Sequence, residues 1–415
     1  MIDVHRLGRL PAKHHIALYR EGDDPKGDGA PVFYEHCLTR KGFDAEYSIA
    51  YRVNNPAPEV ARRDEPDFDA FDAVVLAGEE LRRRHVRTPG AAPEGTLWES
   101  LRWMVGNDDV RVGSAEPTEA DSGLVQVADG DLLLFMHEGS GRLESELGGL
   151  DFRRHDYVWI PRGLVHRIRL DDVAGTGARP HVMVMECRHG LVVPRQFRNP
   201  VGQLKMDAPY SHRDFRRPDA LSPEDDRDRG DPASWDGAGG FEVLHKRYDK
   251  WSRRLLPHHP FDVVGWDGTL YPVAFNVHDY QPKTSTVHLP PPIHTTFLGG
   301  KGEFVVCSFV PRKVDYHPDA IPCPYPHSSY DCDEILWYVE GDFASRKGVG
   351  PGSISLHPAG IPHAPQPGRY EASMGAERTD ELAVMVDTFA PLWLTQHGLA
   401  AEDPDYHRSW LDARD

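Results

Sequence analysis

Short apolar runs recur along the chain. Asp131 to Met136, Tyr157 to Ile160, His181 to Glu186, Phe304 to Val310, Ile335 to Val339 and Leu382 to Asp387 are each bounded by glycine, proline or charged residues. Runs of four to eight apolar residues with turn residues between them predict short, well-buried strands of a sandwich or barrel. Helical spacing is rarer, and the best windows are Asp69 to Arg84 and Thr96 to Met104. From Asp207 to Gly240 the chain is charged, proline-containing and poor in aliphatic residues. It reads as a linker or loop over 206–240, dividing an N-terminal β domain (1–205) from a C-terminal one (241–415).

The two parts repeat a pattern. Gly352-x5-Pro358-x-Gly360-x2-His363 follows a strand that ends Val339-Glu340-Gly341. Pro161-Arg162-Gly163-x2-His166 follows one that ends Met136-His137-Glu138-Gly139. Two copies of one β-barrel module account for this, so a mainly β, two-barrel architecture with a few N-terminal helices is expected.

Composition narrows the function. The formal net charge of −18 repels phosphate backbones, so nucleic acid is not an expected partner, and an anionic substrate needs local cations. No apolar run reaches about 18 residues, and the start lacks a basic segment before an apolar one. Neither a membrane span nor a secretory leader is expected. Five cysteines without a Cys-x-x-Cys pair read as reduced thiols of a cytoplasmic protein rather than a disulfide frame or zinc ribbon. Histidine is abundant at 23 residues, which makes a metal site worth seeking.

The second module holds one. Glu334-x6-Gly341 followed by the His363 motif resembles the two motifs of the cupin superfamily. Those motifs open with His-x-His, whereas here His327 alone stands upstream, seven positions before Glu334. His327, Glu334 and His363 form a set of two imidazoles and one carboxylate. On one face of an octahedral ion they leave three positions free, which suits iron(II) with oxygen and a chelating substrate. Zinc chemistry uses similar sets, so ligand type alone does not choose the metal. In the first module Leu132 stands where Glu334 would be, so His166 is expected to be a packed or surface histidine.

The chain from about 241 onward resembles homogentisate 1,2-dioxygenases. The resemblance rests on Asp262 to Gly268, Val287 to His294, Pro324 to His327, Asp333-Glu334, Ser355 to His363 and Tyr406 to Trp410. Gly141 to Glu144 and Ile160 to Gly163 extend it into the first half, and Gly8 to His15 is similar to a bacterial subgroup. It implies a bicupin fold in which His327, Glu334 and His363 hold Fe(II). It also implies that His288 contacts a substrate hydroxyl and acts as base, and that His357 lies near the metal. His288, Phe343, His357 and His363 are the implied substrate contacts. A small aromatic substrate and O2, ring cleavage in aromatic amino-acid catabolism, and homotrimers or homohexamers follow from the same resemblance. By contrast, His294, His258 and His259 are expected to be structural or loop residues. Gly341-Asp342-Phe343 stands where the family keeps Gly-His-Tyr, and Phe343 cannot donate a hydrogen bond. The substrate therefore stays open between homogentisate, gentisate, a hydroxyanthranilate and other hydroquinone-type phenols. A non-catalytic binding bicupin and a zinc- or manganese-dependent isomerase or hydrolase are the readings from other classes.

Overall fold

The computed structural model describes residues 3–20, 32–65, 68, 71–76, 78–90, 92–173, 179–222, 232–343 and 345–411. Strands dominate, as the apolar runs predict. The six needed from the first half are β1 (Arg84–Arg87), β2 (Arg102–Gly106), β3 (Val110–Ala115), β4 (Asp131–Glu138), β5 (Asp156–Ile160) and β6 (His181–Cys187). The second half supplies β7 (Val273–Asn276), β8 (Thr295–Gly299), β9 (Phe304–Phe309), β10 (Asp333–Glu340), β11 (Ser353–His357) and β12 (Leu382–Thr388).

Two sheets repeat one strand order. The first runs β7-β5-β4-β6-β3-β2 and the second β1-β11-β10-β12-β9-β8, so β4 and β10 occupy the same place. This confirms the repeat inferred from the paired Pro-x-Gly-x2-His motifs. The outer strands are exchanged: β7, from the second half, lies beside β5, and β1, from the first half, lies beside β11. At the far ends Trp393–Leu394 pairs with β2 and Leu191–Val192 with β8. Each sheet thus takes strands from the other half near both of its ends, with Phe215–Arg216 added beyond β7. The sheets also meet directly, Trp337 donating its indole N–H to His137 Nδ1 at 3.0 Å and Tyr157 bonding Ser308 at 2.9 Å. Trp103, Trp159, Trp266 and Trp337 are among the largest fully buried side chains.

Three expectations change. Asp69 to Arg84 is not a helix: it holds a 3-10 turn at Gly78–Glu80 and the start of β1, while residues 69, 70 and 77 lie outside the described residues. Val74 N–H instead bonds Leu394 O at 2.8 Å, so pairing with a distant segment overrides local spacing. Thr96 to Met104 shrinks to one turn, Leu97–Ser100, closed by a Thr96–Glu99 capping box before β2 begins. The 206–240 segment is not loose where it is described. Phe215 is buried, pairs with Phe275 of β7 and stacks on its ring at 4.9 Å. A hairpin, Pro232–Trp235 with Ala238–Arg247, fills its end, and residues 223–231 lie outside the described residues. All five cysteines are free. No helix among the described residues is long and apolar enough to cross a membrane.

Candidate metal centre

Glu334 comes from β10, and register decides its neighbours. It lies opposite His357 of β11 on one side and opposite Asp387 of β12 on the other. Directly opposed residues of an antiparallel pair point to the same face, so the three side chains form one row across three strands. Gly341 ends β10 at φ +93°, where an added Cβ would stand 2.3 Å from the Asp380 carbonyl.

The two loop histidines are joined by backbone. His327 and His363 form an isolated antiparallel bridge with two mutual N–H···O=C bonds of 2.9 Å. The turn before His363 is anchored, with Gly360 at φ +74° donating to Ser329 O at 2.6 Å and Ala359 N–H to Asp333 Oδ1 at 2.7 Å. One ligand atom each from His327, Glu334 and His363 lies within 4.8 Å of the others. The ring centroids of His327 and His363 are 4.1 Å apart, and His363 Nε2 is 3.5 Å from Glu334 Oε1.

The electrostatics suit a cation. Burial would raise the Glu334 pKa, but the His357 hydrogen bond and nearby imidazoles outweigh it and hold the carboxyl at about 2. Burial, then the charge on His357, depresses His363 to about 3. Glu334 is therefore an anion beside a neutral His363, the protonation state that metal ligation requires of each. His327 Nδ1 lies 3.0 Å from Tyr325 O, a contact that only a protonated nitrogen satisfies and that frees Nε2. Both ring nitrogens of His363 are buried without a hydrogen-bond partner. Orphaned buried nitrogens are costly unless a ligand claims them. These residues fit a divalent metal.

His357 stands beside the ligand set, as implied. It is buried behind the carboxylate, with Nδ1 2.6 Å from Glu334 Oε1 and Nε2 3.3 Å from Arg346 Nη2. Arginine cannot accept, so Nε2 accepts and Nδ1–H donates to Glu334. Both nitrogens are committed, and His357 orients the carboxylate. Phe343 is also buried, its ring 4.6 Å from Tyr338 and away from the cavity.

A cavity of about 760 Å³ opens against His327, with His288, His294, Phe309, Arg312 and Tyr325 in its wall. His288 is exposed there, Nε2 3.4 Å from the Tyr325 hydroxyl. The neighbouring His294 is buried against Phe309, and His259 accepts from Phe261 N–H at 3.1 Å. His166 is fully buried with its ring against Trp98, a packed histidine.

Arg346 and Asp387 escaped sequence reasoning. Arg346 is buried, donates to Ala364 O at 2.9 Å and lies over the Trp410 ring at 5.7 Å. Trp410 N–H also bonds Ala364 O at 3.0 Å, so the C-terminal Tyr406 to Trp410 segment braces the residue after His363. Nothing in Ser345-Arg346-Lys347 marks that role. Asp387 did carry a signal, being a lone acid inside an apolar strand. Burial, then the charge on Glu334, pushes its carboxyl up to about 7.

A sequence profile of the N-terminal part of homogentisate 1,2-dioxygenase matches residues 114–277 and ends just past β7. A protein of Saccharolobus solfataricus, named "Putative dioxygenase SSO1533", is 31% identical over 413 residues, covering 99% of either chain. Solved cupins overlap only in part. A cupin-2 domain protein of Shewanella frigidimarina is 18% identical and covers 21% of this chain and 80% of its own, at a TM-score of 0.18. A cupin 2 conserved barrel protein of Leptotrichia buccalis is 10% identical and covers 78% of this chain and 99% of its own, at 0.26. Likeness at TM-scores this low is no guide to activity. The full-length match to the archaeal protein, together with the profile match, shows that the chain belongs to the homogentisate dioxygenase-like cupin family.

Proposed function

We propose that the protein is an iron(II)-dependent dioxygenase that opens the ring of homogentisate, with both atoms of O2 entering the product. One observation carries the reading: the buried, unpartnered nitrogens of His363 stand beside an ionised Glu334 and His327, with a cavity for an aromatic ring alongside. His327, Glu334 and His363 would hold iron(II), and the bound metal would supply O2 activation beside a phenolic substrate.

The chain's own residues have separable tasks. His357, held by Arg346, fixes the carboxylate oxygen of Glu334. His288, exposed on the cavity wall, takes the phenol proton, and the Tyr325 hydroxyl orients its ring. Lys283, Lys313 and Arg378 line the cavity and have no ion pair among the described residues, so they are its candidates for holding a substrate carboxylate. Phe309 and the surrounding apolar wall limit water around the ring.

Anaerobic loading with iron(II), addition of homogentisate and admission of air test the proposal. Stoichiometric oxygen uptake with appearance of the ring-opened product is expected. Uptake with gentisate but not homogentisate moves the substrate and keeps the chemistry. No uptake with any phenol, despite bound iron, defeats the dioxygenase reading.

A further inference from the structure

A second histidine cluster lies where the two modules meet. His155, His278 and Glu340 each offer one ligand atom within 4.8 Å of the others. His155 sits in the turn between Gly148–Phe152 and β5, His278 in the 3-10 turn Val277–Asp279 that follows β7, and Glu340 at the end of β10. Strand pairing creates the juxtaposition. Asp156 of β5 lies opposite Asn276 of β7, so the residues just outside that pair come together.

His155 is the informative member. Only 3% of it is exposed, and its Nε2 is buried without a hydrogen-bond partner, 3.9 Å from Glu340 Oε2. Its Nδ1 is 2.8 Å from His278 Nε2. Its backbone sits at φ +67°, a left-handed conformation that a residue with a Cβ adopts at a cost. Asparagine adopts the same turn, so the backbone does not itself demand an imidazole here. Burial, then the charge on Arg154, depresses this imidazole to about 4, leaving it neutral. Arg154 bridges Glu138 at 2.9 Å and Glu340 at 3.0 Å, two carboxylates against one guanidinium. A cation can therefore take Glu340 while Arg154 keeps Glu138.

A third acidic group, Asp129, Glu186 and Asp249, differs because cations already occupy it. Lys246 lies 2.6 Å from Glu186, while Arg111 and Arg247 pair with the two aspartates.

We propose that His155, His278 and Glu340 form a second divalent-cation site, of zinc type, that clamps the two modules together. Two imidazoles and a carboxylate, completed by water at the exposed His278 side, match zinc in ligand type and number. Glu340 is six residues along β10 from Glu334, about 20 Å at strand rise, so the two sites bind independently.

The test uses the full chain stripped of metal and titrated with zinc(II), bound metal being measured after dialysis. A Glu334→Gln/His363→Ala variant isolates the second site whether or not the iron reading holds. It should bind one equivalent of zinc and gain thermal stability, and adding His278→Gln should abolish both effects. His155→Asn, which tolerates the left-handed turn, should do the same. X-ray absorption of the zinc-loaded isolating variant should show only nitrogen and oxygen neighbours, with imidazole scattering. Three results would each overturn the proposal: no zinc retained by the isolating variant, retention unchanged by His278→Gln or His155→Asn, or sulfur in the zinc shell.

Discussion

The residues around Glu334 divide into those that touch the metal position and those that hold them. Glu334→Ala removes the only carboxylate of the triad, and the variant should retain less than about 0.1 equivalent of iron after desalting. Metal analysis at full occupancy in that variant would sink the ligand assignment. Arg346→Met leaves the three ligands in place but frees His357 from its second partner. A residue that orients a ligand's partner typically matters about 10–100-fold in metal affinity, and competition with a chelator should read a loss of that order. Arg378→Ala tests substrate holding: KM for homogentisate should rise about tenfold with kcat within about threefold, the pattern of lost ground-state binding. Phe343 shows where motif reasoning misleads. It occupies the position of a family tyrosine, yet its ring is packed on Tyr338, so the departure says little about which groups line the cavity.

At the scale of elements, β10, β11 and β12 were readable as strands because their apolar runs are short and bounded. The clustering of His327, Glu334 and His363 was readable because the three lie close in sequence and sit against turn residues whose spacing is characteristic. The row His357, Glu334, Asp387 was not, since it depends on register between strands up to 53 positions apart. The exchange of β1 and β7 was equally hidden, because a short strand carries no mark of which sheet it joins. Asp69 to Arg84 shows the same limit, its helical spacing giving way to pairing with Leu394. The exchange has a measurable consequence. Val86 of β1 is fully buried and pairs with Ile354 of β11. Val86→Ala should cost about 2 kcal/mol of stability by lost burial and an unfilled void, read from urea midpoints. A value near zero would mean that β1 is not a working part of the second sheet.

For the whole molecule, acid is the revealing perturbant. Burial holds His137 and His294 at about 3 and His166 and His181 at about 4, all well below the usual 6.5. The unfolded chain binds protons at these groups from about pH 6.5 downward, whereas the folded one does not until near pH 4. Stability is therefore full above about pH 6.5 and declines as pH falls toward 4. The slope is at most about 1.4 kcal/mol per pH unit for each imidazole, and no further loss from these groups occurs below their folded values. Urea midpoints across pH 7 to 4.5 should show the decline, and His166→Phe should remove one group's share. A flat profile over that range would contradict the buried, neutral state of these rings.

The reciprocal lending of outer strands bears on what a lineage can discard. A duplicated unit that has lost its ligands, as the first module has with Leu132 in place of the acid, would ordinarily be free to decay. Here its strand β1 flanks the one that carries His357, while its own sheet takes in β7. Deleting either copy would bare the flank of the survivor. Each copy's sheet is thus a mechanical requirement of the other, whatever chemistry either one carries.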